Sequence, residues 1–346
     1  FFCNLHFLYA KELPPGTGSG DVPANILLML DTSGSMGWPP PGAVTSYTYR
    51  PTDVDVDSNG NVYILEDRYC RIKKFDSGGA LLKSWGYCSR STQNNSLFLP
   101  EGIAINESLN EIVVTNTQGG RYGRGNIKIL DLDLNYKRTI ADSNSTSCSN
   151  SGDNCYPIGV AWDSNNYIYY TSWQTKKIHK INSNGAKVLD IGSGYGTGSG
   201  QMLGAYHLDI DSNGNIYVAD HYNHYVLKFN SSGSYVTRWG GYGSSNGRFL
   251  HPAGIAVDSN DNIFVSQPAG WSTYGHRVQK FNSNLSFQVS IGGQGSSDGK
   301  FYYPYGVAID GDDKLYVADY WNNRVSVFTN AGVFVEHYGR GIKRIN

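Results

Sequence analysis

Little in this chain is charged. Of its 346 residues 16% are Asp, Glu, Lys or Arg, and 28 basic against 29 acidic side chains leave a formal net charge of −1. Such a chain has no long-range attraction for nucleic acid or an anionic membrane. Nucleic acid is therefore not the expected partner, and an RNA-binding role requires a continuous basic face. Long apolar runs are missing too: no stretch approaches the ~18 residues of a membrane span. Helical segments are missing from the repeating part. The five cysteines include no C-x-x-C pair and no nearby histidines at zinc spacing. No Ser/His/Asp order or carboxylate pair stands out. The Gly-rich run 192–200 lies between strands, which is poor ground for phosphate binding.

The cysteines suit a different use. Cys148 and Cys155 flank a short Ser/Asn/Gly/Asp loop, and Cys70 and Cys88 lie within one repeat; each pair is a disulfide candidate. Disulfides imply an oxidising compartment, hence a secreted or cell-surface location. Cys3 is left over within Phe1–Ala10, an apolar run ending in a small residue. That run resembles the back end of a signal peptide, with a short buried strand as the competing reading. Residues 1–23 are thus a signal-peptide remnant and a Gly/Pro-rich linker.

What is abundant is glycine and tyrosine, 42 and 26 residues, the composition of an all-β chain with tight turns. HLDIDSNGNIYVADHYNHYVLKFN, His207–Asn230, shows the unit. Two alternating apolar runs flank an Asn-Gly turn, and a third follows a polar break. Asp55–Phe75 and Ala308–Phe328 repeat it. Aligned copies start at Pro51, Pro100, Pro157, Ala205, Pro252 and Pro304, a period of about fifty residues that signals a propeller or solenoid. Each copy reads as four strands, a to d. Strand a is Asp53–Val56 in the first copy, strand c is Arg277–Phe281 in the fifth, and strand d ends before a glycine, as in Trp239-Gly240. The expectation is an all-β, six-bladed β-propeller over residues 43–340, with 341–346 as a tail.

The pattern Pro-x-Gly-[IV]-Ala-[VI]-Asp, Asn-Gly-Asn, [IL]-Tyr-Val-Ala-Asp, Asn-Arg-Val resembles the NHL repeat, most clearly at Gly254–Asp258, Ile216–Asp220 and Asn322–Val325. Upstream, the apolar run from Asn25 to Asp31-Thr-Ser33-Gly-Ser35 resembles the first strand and metal-site loop of a von Willebrand factor A domain. That resemblance implies Mg²⁺ held by Asp31, Ser33 and Ser35, hard oxygen ligands in an incomplete set. It covers about residues 24–37. The segment 24–42 is then a partial A-domain start followed by a Pro-rich linker, and the chain reads as a piece of a protein in which repeats interrupt an A domain.

Asp55-x-Asp57-x-Asn59-Gly60 and Asp209-x-Asp211-x-Asn213-Gly214 match the front of a calcium loop, but strand b carries the twelfth residue ~13 Å away. A hairpin turn accounts for the same residues. The carboxylates Glu66, Asp220 and Asp319 close strand b and read as hydrogen-bond acceptors between blades. Strand alternation puts the b–c and d–a loops on one end of the propeller. They carry Arg121, Arg124, Trp173, His221, Tyr222, Trp271, Tyr320 and Trp321. Aromatics and arginines over a rigid scaffold make a binding face for a protein or glycan. The competing reading is that they cap blades against each other. The combined expectation is an adhesion module with pilus-tip-like architecture. The alternative is a metal-dependent lyase or hydrolase in the channel, since some NHL-like propellers are lyases with zinc on histidines; His207, His251, His221 and His224 are the candidates.

Overall fold

A computed structural model describes residues 46–91, 93–117, 125–140, 156–268 and 275–339. Six four-stranded antiparallel sheets follow one another along the chain, and each is built from four consecutive strands. The inner strands are Pro51–Val56, Pro100–Asn106, Pro157–Trp162, Ala205–Ile210, Ile255–Val257 and Pro304–Ile309. Each packs on the next, and the sixth packs on the first, closing a six-bladed β-propeller. Faces of neighbouring blades supply the core. One cluster joins Tyr169 and Ile178 to Leu208, Val218 and Phe229; another joins Val54 and Phe75 to Tyr316 and Val325. The sequence periodicity therefore reads correctly, because strands buried on both faces here are rich in Val, Ile and aromatics.

The a–b turns are structural. Asp57 Oδ1 accepts the backbone N–H groups of Asn59 and Asn61 at 3.0 and 2.8 Å, while Oδ2 accepts the Tyr63 hydroxyl at 3.1 Å. Asp163–Tyr169, Asp211–Tyr217 and Asp310–Tyr316 repeat the arrangement, each at 3.0 Å. The turn needs a left-handed residue, supplied by Gly60 and Gly214 in two blades and by Asn166, Asp261 and Asp313 in three others. Asn106–Glu111, whose turn departs from the others in sequence, forms a short 3₁₀ segment over Glu107–Leu109. The carboxylates closing strand b act as acceptors. Asp220 takes the N–H groups of Leu203 and Gly204, and Asp319 takes that of Tyr302, fastening the segment that enters each blade. Cys70 and Cys88 form a disulfide. Cys148, Cys155, Asp31, Ser33 and Ser35 lie outside the described residues.

Around the axis the repeats fall into register. Two residues after the aligned Pro or Ala stand Asp53, Gly102, Gly159, His207, Gly254 and Gly306. A bulge interrupts pairing with strand b at this level, which frees backbone groups. In the second, third and fifth blades a strand-b hydroxyl takes them up. Thr115 accepts from Gly102 N at 2.7 Å and donates to the Ile158 carbonyl of the next blade at 2.5 Å. Thr171 and Ser266 do the same for Gly159 and Gly254. Glycine is required because the next inner strand is so near. A Cβ on Gly306 collides with the Asp53 side chain and stands 2.7 Å from the Thr52 carbonyl oxygen. The two exceptions, Asp53 and His207, come from blades on opposite sides of the ring and face each other, Nδ1 to Oδ2, at 3.5 Å.

One level deeper stand Asp55, Ala104, Ala161, Asp209, Ala256 and Ala308. Again only the first and fourth blades are polar. Asp55 accepts Ile105 N at 2.7 Å and Asp209 accepts Val257 N at 2.8 Å, each on the following blade. These levels enclose an axial cavity of about 220 Å³. Burial pushes Asp55 up to about 7 and Asp209 to about 6, against their backbone hydrogen bonds. Burial also lowers His207 to about 4, so it is neutral near pH 7.

Two outcomes follow. Gly306→Ala should destabilise the fold by about 2 kcal/mol or more through overpacking, whereas Gly311→Ala, whose new Cβ meets nothing within 4 Å, should leave the denaturation midpoint nearly unchanged. Asp55, protonated more readily folded than unfolded, contributes stability that is complete below pH 3.8 and lost as pH rises to about 7. Asp55→Asn should accordingly gain stability relative to the parent between pH 4 and 8 in denaturant titrations; a pH-independent difference would refute the buried-carboxylate assignment.

Candidate functional site

One residue above the glycine level, at the mouth where b–c and d–a loops meet, the register reads Thr52, Glu101, Ile158, Tyr206, Ala253 and Tyr305. The two tyrosines flank the blade that offers only Ala253, and their ring centroids come within 6.1 Å. This contact joins two aromatic groups into one bowl. On one side Trp173 stands edge-on to Tyr206 at 6.0 Å and to Tyr222 at 5.5 Å, and His221 stacks on Tyr206 at 4.2 Å. On the other side Tyr305 meets Tyr303 and Tyr320, each at 6.4 Å, and Tyr320 meets Trp321 at 5.2 Å.

Five of the residues expected on the binding face are therefore gathered together: Trp173, His221, Tyr222, Tyr320 and Trp321. Tyr222 and Trp321 remain 45% and 44% exposed, whereas His221 is buried at 7% and belongs to the wall. Arg121, Arg124 and Trp271 lie outside the described residues. Sequence reasoning missed Tyr206, Tyr303, Tyr305 and Glu101. For Glu101, Tyr206 and Tyr305 the signal was the middle position of the Pro-x-Gly column, which varies more than its neighbours.

Charged groups are few and specific. Glu101 lies beside Tyr305; burial pushes its carboxyl up to about 8, the nearby Asp67 adds to this, and a hydrogen bond with Tyr305 works the other way. Asp67 accepts the Tyr320 hydroxyl at 2.6 Å and is itself raised by burial, with Arg50 opposing. The Arg50 guanidinium sits over the Trp321 ring at 4.4 Å, and Lys176 Nζ over Trp173 at 3.5 Å. Both are cation–π geometries.

The histidines separate into two places. His207 sits on the axis opposite Asp53. His251 packs on His221 at 4.8 Å and on His224 at 4.5 Å. His221 Nδ1 donates to the Pro252 carbonyl at 3.1 Å, and His224 Nδ1 accepts the His251 backbone N–H at 3.1 Å, so two of the three rings spend a nitrogen on backbone. Burial lowers all three, His221 to about 3. Among the described residues no group of three or more His, Cys, Asp or Glu is placed to hold a metal ion.

Comparison with known proteins agrees with this architecture. A family profile described as NHL repeat matches residues 301–328. A probable peptidyl-alpha-hydroxyglycine alpha-amidating lyase, pgal-1 of Caenorhabditis elegans, is 30% identical over 83 residues, which is 23% of this chain and 23% of the lyase. This chain thus spans under a quarter of that relative's length. Among solved structures, virginiamycin B lyase from Staphylococcus aureus superposes with a TM-score of 0.55 at 15% identity, covering 86% of each chain. A chain of a nidogen/laminin complex superposes with a TM-score of 0.57 at 15% identity, covering 83% of this chain and 92% of that one. At such identities the structural likeness is one of fold, and the NHL-repeat profile matches one repeat of this chain.

Proposed function

We propose that this chain is an extracellular or cell-surface binding module that engages a protein or glycan through its tyrosine-rich mouth. The observation that carries this reading is the bowl itself. Aromatic side chains from three blades converge on one end of a rigid scaffold, and two of them, Tyr222 and Trp321, stay open to solvent. Large, stiff aromatics give contact area at small entropic cost and dominate binding hot spots. The opposite end presents Asx turns closed on themselves. The Cys70–Cys88 disulfide supports an oxidising compartment, and a propeller fold shared with a nidogen/laminin complex supports a role in adhesion. A pilus-tip-like assembly rests on the A-domain resemblance of residues 24–37, and so does Mg²⁺ at Asp31, Ser33 and Ser35.

A second reading, a metal-dependent lyase or hydrolase, is favoured by the partial match to an amidating lyase. Its histidines would be His207 and His251, which the fold places in two separate surroundings.

Two measurements separate these. Immobilised protein is screened against polysaccharides and matrix proteins including laminin. The Tyr222→Ala/Trp321→Ala variant should weaken whatever is retained by about 2–4 kcal/mol, as removal of central aromatics does; retention unchanged by both substitutions would sink the binding-face reading. Elemental analysis of the purified chain should find less than stoichiometric zinc, whereas one zinc per chain lost in His207→Ala or His251→Ala would establish the second reading.

A further inference from the structure

The floor of the bowl has a chemistry narrower than adhesion in general, and this inference rests on the bowl being the binding face. Tyr206, Tyr222, Tyr303, Tyr305 and Tyr320 surround it, with neighbouring ring centroids between 5.9 and 6.4 Å apart. The rings of Tyr222, Tyr206 and Tyr305 lie in series, and Tyr305 lies beside Glu101. Glu101 Oε2 is sealed from solvent and has no hydrogen-bond partner among the described residues.

Ring faces carry negative potential, and so does an ionised carboxylate. Among the described residues no cationic side chain is paired with Glu101. Arg50 is engaged elsewhere, over Trp321 and beside Asp67 and Tyr320. His221, with its low pKa, is neutral at pH 7. A neutral sugar offers the rings and the carboxyl group no positive charge. A group combining positive charge with apolar surface answers both the rings and the carboxylate.

We propose that the bowl receives an alkylammonium head group, its methyl or methylene surface on the tyrosine rings and its charge answered by Glu101. The linkage gives this a signature. In the free protein Glu101, raised to about 8, holds its proton at pH 7. A bound cation favours the carboxylate, so binding expels a proton and tightens as pH rises from 6 to 9. The groups facing Glu101 do not mimic this: burial raises Tyr206, Tyr303, Tyr305 and Tyr320, keeping them protonated there, and Asp67 is paired with Tyr320.

The test is calorimetric titration with tetramethylammonium, choline and 3,3-dimethyl-1-butanol, the uncharged isostere of choline. Both cations should bind, with choline about tenfold or more tighter than the isostere, a gap of about 1.4 kcal/mol, and its affinity should rise with pH. Glu101→Gln should abolish both the gap and the pH dependence. Tyr305→Phe, which keeps the ring, should retain the charge preference. Phosphocholine and trimethyllysine, run alongside, distinguish a lipid-type from a peptide-type carrier, and choline-like binding by either supports the proposal. Equal affinity for choline and its isostere, undetectable binding of both cations, or a pH-independent affinity in the parent protein overturns it whether or not Glu101→Gln folds. If a glycan or protein from the screen still binds through Tyr222 and Trp321 in that event, the binding face stands and only the cation is wrong.

Discussion

The structure depends on how closely six inner strands approach one axis. At the bulged level of each strand, backbone of one blade presses on backbone of the next, and only glycine leaves room. That proximity would strand N–H groups and carbonyls, so strand b returns a hydroxyl at Thr115, Thr171 and Ser266 to serve one of each. Where the glycine is replaced, on the first and fourth blades, the replacements are polar and face one another. Asp53 and His207 at one level and Asp55 and Asp209 at the next make an axis that is polar along one diameter and apolar elsewhere. The mouth inherits its shape from this spacing, since residues one step above are held at nearly van der Waals distance.

Much of the scaffold was legible in the sequence because its causes are local. Alternation, Asn-Gly turns and β-branched runs act over a few residues, and their recurrence at Pro51 through Pro304 multiplied the signal. The misleading calcium-loop motif at Asp55–Gly60 resolved for the same reason, since a hairpin explains each residue in it. Trp173, Tyr222, Tyr320 and Trp321 were legible as loop aromatics on one end. Glu101, Tyr206 and Tyr305 were not. They sit inside strands, at a position whose neighbours are scaffold, and their meaning comes from residues a blade or more away. Reading the copies as columns rather than in series isolates them: Thr, Glu, Ile, Tyr, Ala, Tyr. The histidines differ in where the fold puts them. His207 and His251 look equivalent along the chain, yet one is an axial partner of Asp53 and the other a packing ring beside His221.

The aromatics, for which packing and binding competed as explanations, divide into buried and exposed rings. His221 and Tyr206 are stacked into the wall, while Tyr222 and Trp321 project from it. Under the proposed binding role a rigid wall with exposed rings favours recognition, because little side-chain freedom remains to be lost on contact.

Each blade is made of four consecutive strands, so among the described residues no strand of the first blade is lent to the last. The circle is fastened at that seam by side chains and single backbone contacts: Thr48 N–H to the Gly339 carbonyl at 2.9 Å, Arg50 N–H to Asn323 Oδ1 at 3.0 Å, Tyr338 hydroxyl to the Ser77 carbonyl at 3.0 Å, and Tyr320 to Asp67. The last of these is also part of the bowl. The molecule is thus a split ring whose clasp and whose mouth share a residue pair, and anything seated against Tyr320 bears on the join that keeps the ring shut.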